Sequence, residues 1–363
     1  LPFVHTNQPP TMPQQVRSGE ELPEAPLLDY LHREALIPTT AQELEVQQFA
    51  NGFSNLTYLL RIGDRELVLR RPPFGAIKHG HDMGREYKVL SQLYRAFPQS
   101  PRAFAYTDDP AVMGAPFYLM EKINGIVLSY REAVNRKIPA ADFGQIADQW
   151  LDTLVRLHAV DYHAVGLADL GRPEGYVARQ VKNWGRQYLA AATEDIPEAK
   201  QVMSWVEEQQ PREYDHCLIH NDYKYDNVVF ADDRWTSIRA VLDWEMCTLG
   251  DPLMDFGTSL AYWTTAEDDP MIVRGWPSPT ALPGNPGREA LVAAYERKRG
   301  RAVPHLVFYY AFGLFKIAVI VQQIYQRYQR GLTKDPRFAD LNRAARLFCT
   351  LAWRAIQRGR IEG

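Results

Sequence analysis

One segment of the chain gathers the residue types that phosphoryl transfer needs: His220-Asn221-Asp222-Tyr223-Lys224-Tyr225-Asp226-Asn227. Sixteen residues after Asn227, Asp243 ends the apolar run Ala240-Val241-Leu242. Moving a phosphoryl group to a hydroxyl requires a carboxylate that orients the hydroxyl and accepts its proton. It also requires oxygen ligands that hold Mg2+ against the phosphates, whose charge must be neutralised in the transition state. In this reading Asp222 is the base, Asn227 and Asp243 are the metal ligands, and Lys224 reaches the transferred phosphate. Taken singly, each of these residues is equally well explained as a turn former or a strand-end residue. Only the joint register argues for chemistry.

Such a loop needs a scaffold. A chain of 363 residues, 46% hydrophobic and 23% charged, is long enough for two domains or one two-lobed unit with a sizeable core. Residues 1–15 carry no pattern and are read as a tail without a role in the fold. Residues 16–36 begin acidic and set Leu27, Leu28, Leu31 and Leu36 at helical spacing, which predicts a first helix. From residue 43 to 73 the period shortens to that of three antiparallel strands, ELEVQQF, LTYLLRI and ELVLRR, parted by the turn signals Asn51-Gly52 and Gly63-Asp64. Residues 81–97 are helical in pattern, and residues 116–123 read as a short apolar strand. Beyond Asn124-Gly125, helical patterns at 141–158, 176–193, 197–209, 288–299, 304–329 and 336–358 surround strand signals in HCLIHND, NVVFAD and SIRAVLDWE. The expected class is α+β, with a small sheet-rich lobe over 16–123 and a larger, mainly helical lobe over 124–363 that holds the chemical segment.

Other features narrow the function. A net charge of −3 argues against a general nucleic-acid binder. Cys217, Cys247 and Cys349 have neither metal-ligand spacing nor the density of a disulfide framework, which favours a reducing, cytoplasmic setting. The apolar stretch 306–321 is interrupted by Lys316 and falls short of the ~20 residues a membrane span needs, so a buried helix is expected. Residues 1–13 show no basic segment followed by an apolar one.

The loop register matches the kinase catalytic loop and its metal-binding Asp. Three further words are more specific: Phe53-Ser54-Asn55-Leu56-Thr57-Tyr58-Leu59-Leu60, Val68-Leu69-Arg70-Arg71-Pro72-Pro73, and Val241-Leu242-Asp243-Trp244-Glu245-Met246 running into Leu249-Gly250-Asp251-Pro252-Leu253-Met254-Asp255. On these residues the sequence resembles the aminoglycoside phosphotransferase and choline kinase superfamily. Within it, the sequence is similar to the kinase domains of acyl-CoA dehydrogenase family members 10 and 11.

The resemblance spans about residues 16–350 and implies a two-lobed, protein-kinase-like fold that uses ATP and Mg2+. It implies that residues 51–55 form the turn over the phosphates, where Gly52 permits close backbone approach, Ser54 donates hydrogen bonds and Asn55 closes the turn. Arg70 stands where kinases carry the phosphate-binding Lys, with Glu86 on the next helix as its ion-pair partner. Residues 117–124 resemble the hinge, where the backbone of Glu121 and Lys122 meets the adenine edge and Met120 lines its pocket. Asp251 and Asp255 brace the catalytic loop. Arg70 is a departure, because a planar fork is not interchangeable with a compact ammonium. It leaves open either altered ATP positioning or weak nucleotide binding.

Asp243 is followed by Trp244-Glu245 rather than Phe-Gly, and five residues separate Glu245 from Asp251. That leaves no room for the long activation segment on which protein kinases dock a peptide, so the acceptor is expected to be a small-molecule hydroxyl. Residues 297–363 hold 14 Lys or Arg against 3 Asp or Glu. Arg297, Lys298, Arg299, Arg301, Arg327, Arg330, Arg343 and Arg346 read as a basic surface that attracts an anionic acceptor, such as a hydroxyacyl-CoA. The competing readings are an aminoglycoside or choline-type kinase, and a nucleotide-binding module without transfer.

Overall fold

The computed structural model describes residues 13–49, 55–73, 82–333 and 335–361. In the first part, β1 (Pro13–Gln14), α1 (Glu24–Arg33), β2 (Glu45–Phe49), β3 (Leu56–Ile62), β4 (Arg65–Arg71), α2 (Met83–Leu93), β5 (Ala103–Thr107), α3 (Pro110–Met113) and β6 (Phe117–Glu121) follow one another. Their strands form one antiparallel sheet in the order β1-β2-β3-β4-β6-β5. Pro13 and Gln14 pair with Phe49 and Gln48 at its edge, so the end of the segment read as a tail belongs to the sheet. β5 is a strand that the sequence pattern does not announce.

Strand alternation divides this sheet by face. The register pairs Tyr58 with Leu69 and Leu60 with Leu67, and with Phe117 and Leu119 these residues are buried beneath Leu27, Tyr30 and Leu31 of α1. The intervening positions point the other way. They pair Thr57 with Arg70, Arg70 with Tyr118, Leu59 with Val68 and Val68 with Met120, which places Arg70 and Met120 on the face turned toward α2 and the second lobe.

The second lobe comprises β7 (Ile126–Val127), α4 (Tyr130–Arg136), α5 (Phe143–His158), α6 (Tyr176–Ala191), α7 (Pro197–Glu208), β8 (Cys217–Ile219), β9 (Val228–Phe230), β10 (Ile238–Val241), β11 (Thr248–Gly250), α8 (Pro252–Tyr262), α9 (Pro270–Gly275), α10 (Arg288–Arg299), α11 (Leu306–Gln329) and α12 (Leu341–Arg358). Two small antiparallel sheets, β10-β9-β7 and β11-β8, carry the loops of chemical interest. The smaller lobe keeps its own core beneath α1, but its inner side shares the core of the larger lobe. Met83, Val89, Leu90 and Leu93 of α2 and Tyr118 of β6 join the same buried cluster as the helices of the larger lobe.

α11 is the axis of that lobe. It packs against α8, α12, α6 and α7, and among the described residues it is the one helix long and apolar enough to cross a membrane. Most of it is buried in the core, as the interrupted apolar run predicts. It can lie directly on α8 because glycines meet there: a Cβ on Gly257 would stand 2.5 Å from the Tyr309 carbonyl oxygen, and one on Gly313 would stand 2.6 Å from that of Gly257. The close approach carries Lys316 of α11 under the loop that follows β8.

Candidate functional site

β8 ends at Ile219, and the chain then turns sharply through Asn221, whose φ of +68° is unusual for a residue with a side chain. Surrounding bonds hold this turn. Both carboxylate oxygens of Asp255, on the first turn of α8, accept from the loop backbone: Oδ2 from the His220 N–H and Oδ1 from the Asn221 N–H, each at 2.7 Å. Oδ2 also meets His158 Nε2 at 3.1 Å, and the other ring nitrogen of His158 lies 2.9 Å from the Tyr295 hydroxyl. The Asn221 side chain donates to the Met246 carbonyl at 3.1 Å and accepts from the Tyr176 hydroxyl at 3.2 Å. Asp251 caps α8 by accepting from the Leu253 N–H at 2.8 Å, and it accepts from the Tyr309 hydroxyl at 2.7 Å. Burial pushes Asp251 up to about 6 despite these donors.

Asp222, Lys224 and Asn227 form one cluster. Lys224 Nζ lies 2.9 Å from Asp222 Oδ2, and Asn227 Nδ2 donates to the same oxygen at 2.9 Å and to the Asp222 carbonyl at 2.8 Å. Burial would raise the Asp222 carboxyl, but the ammonium of Lys224 and its hydrogen bond outweigh that and hold it below the ordinary carboxylate range. In turn Asp222 raises Lys224 against the opposing effect of burial. Tyr262, at the end of α8, covers the cluster, its ring centroid 4.8 Å from Lys224 Nζ.

Asp243 joins the neighbouring cluster. The Leu242 N–H donates to the Asn227 carbonyl at 2.7 Å and His220 Nε2 lies 2.9 Å from the Leu242 carbonyl, which ties the chain before Asp243 to the loop holding Asp222. Asp243 itself has φ +64°. Its Oδ1 accepts from Arg70 at 3.0 Å, and the same guanidinium donates to Glu86 at 2.6 Å and stands 3.6 Å from Glu245. The Arg70 and Glu86 side chains are 10% and 1% exposed, whereas that of Asp243 is 34% exposed, so Asp243 is the member that solution reaches. Asn55 donates to Glu245 at 2.8 Å, linking the start of β3 to the larger lobe.

Every predicted site residue within the described part can therefore be placed. Gly52 and Ser54 lie outside the described residues. Met120 is on the inner sheet face. Glu121 differs from expectation: its N–H donates to the Arg102 carbonyl at 2.9 Å, and its Oε1 accepts from the Arg102 N–H at 2.6 Å. Its amide is committed to the sheet edge. The Lys122 side chain pairs with Glu66.

The basic surface of the C-terminal helices is partly paired. Lys298 pairs with Asp148 and Asp152 at 2.9 and 3.1 Å, Arg299 and Arg301 both pair with Asp215, Arg346 pairs with Glu194, and Arg343 lies 3.7 Å from Asp340. Arg297, Arg327 and Arg330 form no ion pair among the described residues.

Three residues of the site are not among those predicted. Glu245 stands in a quoted motif, but its contacts with Asn55 and Arg70, like the place of Tyr262 over Lys224, exist only once the chain folds. Lys316 left a trace as the interruption of an apolar run. It is 2% exposed, donates to the Asn221 carbonyl at 2.7 Å, and has its Nζ 5.7 Å from the Trp184 ring centroid. Burial pushes it down to about 8, against the pull of Asp222 and Asp255 and with the push of Lys224. The unfolded chain therefore binds more protons than the native state between pH 8 and 10.5, so this group makes stability rise with pH across that window. The stability of Lys316→Met relative to the parent should fall over the same window by at most about 1.4 kcal/mol per pH unit. Denaturant midpoints at pH 7 and 9.5 measure it, and a pH-independent difference would show that Lys316 keeps its proton in the native state over this range, so that burial does not lower its pKa.

Comparison with known proteins shows the family. The profile of the phosphotransferase enzyme family matches residues 45–302. A Ralstonia eutropha protein named for the aminoglycoside phosphotransferases has a crystal structure that superposes with a TM-score of 0.79 at 30% identity, covering 93% of this chain and 99% of that one. An aminoglycoside phosphotransferase crystallised with AMP-PNP and hygromycin B shares the fold at a TM-score of 0.55 and 16% identity, covering 89% and 98% of the two chains. Mouse acyl-CoA dehydrogenase family member 10 is 32% identical over 96% of this chain, and the chicken family member 11 is 34% identical over 87%. The chain spans 32% and 41% of the length of these two relatives. The fold is that of the protein-kinase-like phosphotransferases. The chain belongs to the phosphotransferase enzyme family.

Proposed function

We infer that this chain transfers the γ-phosphoryl group of ATP to a hydroxyl of a small, anionic acceptor, with Asp222 accepting the hydroxyl proton. The observation that carries the reading is the single hydrogen-bonded cluster of Asp222, Lys224 and Asn227 tied through Leu242 to Asp243. A carboxylate held below its ordinary range is a weak base. Its role is to orient the acceptor hydroxyl and take the proton as transfer completes, which a loose, metaphosphate-like transition state permits. Lys224 supplies positive charge beside the reacting oxygen.

The donor set fits Mg2+, a hard ion that takes oxygens from few protein groups and the rest from phosphates and water. Asn227 commits its amide nitrogen to Asp222, which leaves its oxygen as the ligand atom, and Asp243 is an accessible carboxylate. These two would hold the ion, which neutralises phosphate charge. Arg70, fixed by Glu86, faces the phosphates from the sheet, and Leu59, Val68 and Met120 offer an apolar wall to the adenine.

The acceptor class rests on Lys224 and Lys316 around Asp222, and on the names of the relatives, which associate homologous chains with acyl-CoA dehydrogenases. A hydroxyacyl-CoA meets both conditions. The test compares a hydroxyacyl-CoA, the matching free hydroxy acid and an aminoglycoside as acceptors at two salt concentrations. Preference for the thioester, with a KM that rises with salt, is the expected result. Efficient phosphorylation of the aminoglycoside and none of the thioester would overturn the acceptor class.

A further inference from the structure

We propose that the smaller lobe carries a second binding site, for a small organic phosphate, on the side of α2 away from Glu86. The proposal stands apart from the transfer reaction and does not rest on it. A cleft of about 560 Å³ opens there between the end of α2 and the starts of β4 and β5, and its lining includes Leu36, Arg65, Tyr94, Arg95, Arg102 and Phe104. That volume is in the range of small-ligand pockets.

The three arginines set this cleft apart. Among the described residues, none of them forms an ion pair. Arg61, close by in sequence, behaves in the ordinary way, pairing with Glu66 at 2.9 Å and Glu45 at 3.3 Å. Arg65, Arg95 and Arg102 rest on aromatic rings instead. The Arg102 guanidinium carbon lies 5.3 Å from the Tyr94 centroid and 5.5 Å from that of Phe104. That of Arg65 is 5.9 Å from Phe104, and that of Arg95 is 5.5 Å from Tyr94.

A cation–π contact engages the guanidinium face and leaves N–H donors in its plane for an anion. Of these, Arg95 Nε alone has a side-chain acceptor in the cleft, the Tyr94 hydroxyl at 3.3 Å. The nearby carboxylate of Glu121 is engaged by the Arg102 main-chain N–H at 2.6 Å.

Three guanidiniums around one small cavity call for more than one negative charge, and their planar forks match phosphate oxygens. Leu36 and Phe104 give an apolar wall to the organic part of the ligand. α2 also presents Glu86 to Arg70, so an occupant of the cleft bears on the helix that fixes Arg70.

The test is calorimetric titration with inorganic pyrophosphate in magnesium-free buffer containing EDTA, at low and high salt, with phenyl phosphate and inorganic phosphate as further probes. The parent should bind one equivalent of pyrophosphate, more weakly as salt rises, and phenyl phosphate should bind more tightly than inorganic phosphate. Arg95→Gln combined with Arg102→Gln should weaken pyrophosphate about tenfold or more. Arg65→Gln, on a different element, should weaken it separately. All three arginines are exposed, so melting temperatures near that of the parent should confirm that the variants fold. Absence of pyrophosphate binding by the parent, or equal affinity in the double variant, would overturn the site. Phenyl phosphate binding no better than inorganic phosphate would overturn the organic ligand.

Discussion

Asp222→Asn should lower turnover by roughly 10² or more, the scale of losing a positioned proton acceptor, while nucleotide affinity stays within a few-fold of the parent. The substitution keeps the shape of the side chain but removes the charge that balances Lys224, and an amide can no longer accept the acceptor's proton. The surrounding bonds to Asn221 and His220 are made by Asp255, so the loop should keep its path. Initial rates and calorimetric ATP affinity in the same buffer check both halves. Turnover close to that of the parent would remove Asp222 from the reaction. Loss of ATP hydrolysis in the absence of acceptor, together with loss of transfer, separates an enzyme from a nucleotide-binding module, which would show neither activity in the parent.

Asp243→Ala should abolish the magnesium dependence of ATP binding while leaving metal-free binding nearly as it was. Asp243 is the accessible carboxylate next to Asn227, so its removal takes away a charged metal ligand. Arg70 keeps Glu86 at 2.6 Å and Glu245 at 3.6 Å, so the guanidinium does not become an isolated buried charge and the sheet face should persist. Parallel titrations with and without magnesium measure the effect. An unchanged ratio of the two affinities would mean that the metal is held elsewhere.

What the sequence made legible follows from the range of the interactions involved. Strand alternation in residues 56–71 and the register from His220 to Asn227 are local, so the sheet face carrying Arg70 and the cluster around Asp222 could be read from neighbouring residues. α8 was not announced because ten of its eleven residues are buried, which erases the one-sided apolar period that marks a surface helix. The pairing within the basic surface is hidden for another reason: counting charges along a chain does not pair them. Arg346 meets Glu194 across 152 residues and Lys298 meets Asp152 across 146, contacts that exist only after folding. Asn55 with Glu245 and Lys316 with Asn221 are of the same kind, separated by 190 and 95 residues. Glu121 is a subtler case, since its place in the chain suits a hinge but its amide is taken by the Arg102 carbonyl just before β5.

The short connection after Asp243 has a consequence for control. Thr248, Leu249 and Gly250 are laddered to Ile219, Leu218 and Cys217, so the stretch that protein kinases use as a movable, modifiable arm is here stitched to the strand that delivers Asp222. A switch inserted between Glu245 and Asp251 would have to break that ladder before it could move, and the catalytic strand would lose its partner in the process. The proposed site is thereby assembled without a movable arm of that kind. The smaller lobe offers another point of adjustment, since α2 holds Arg70 in place through Glu86.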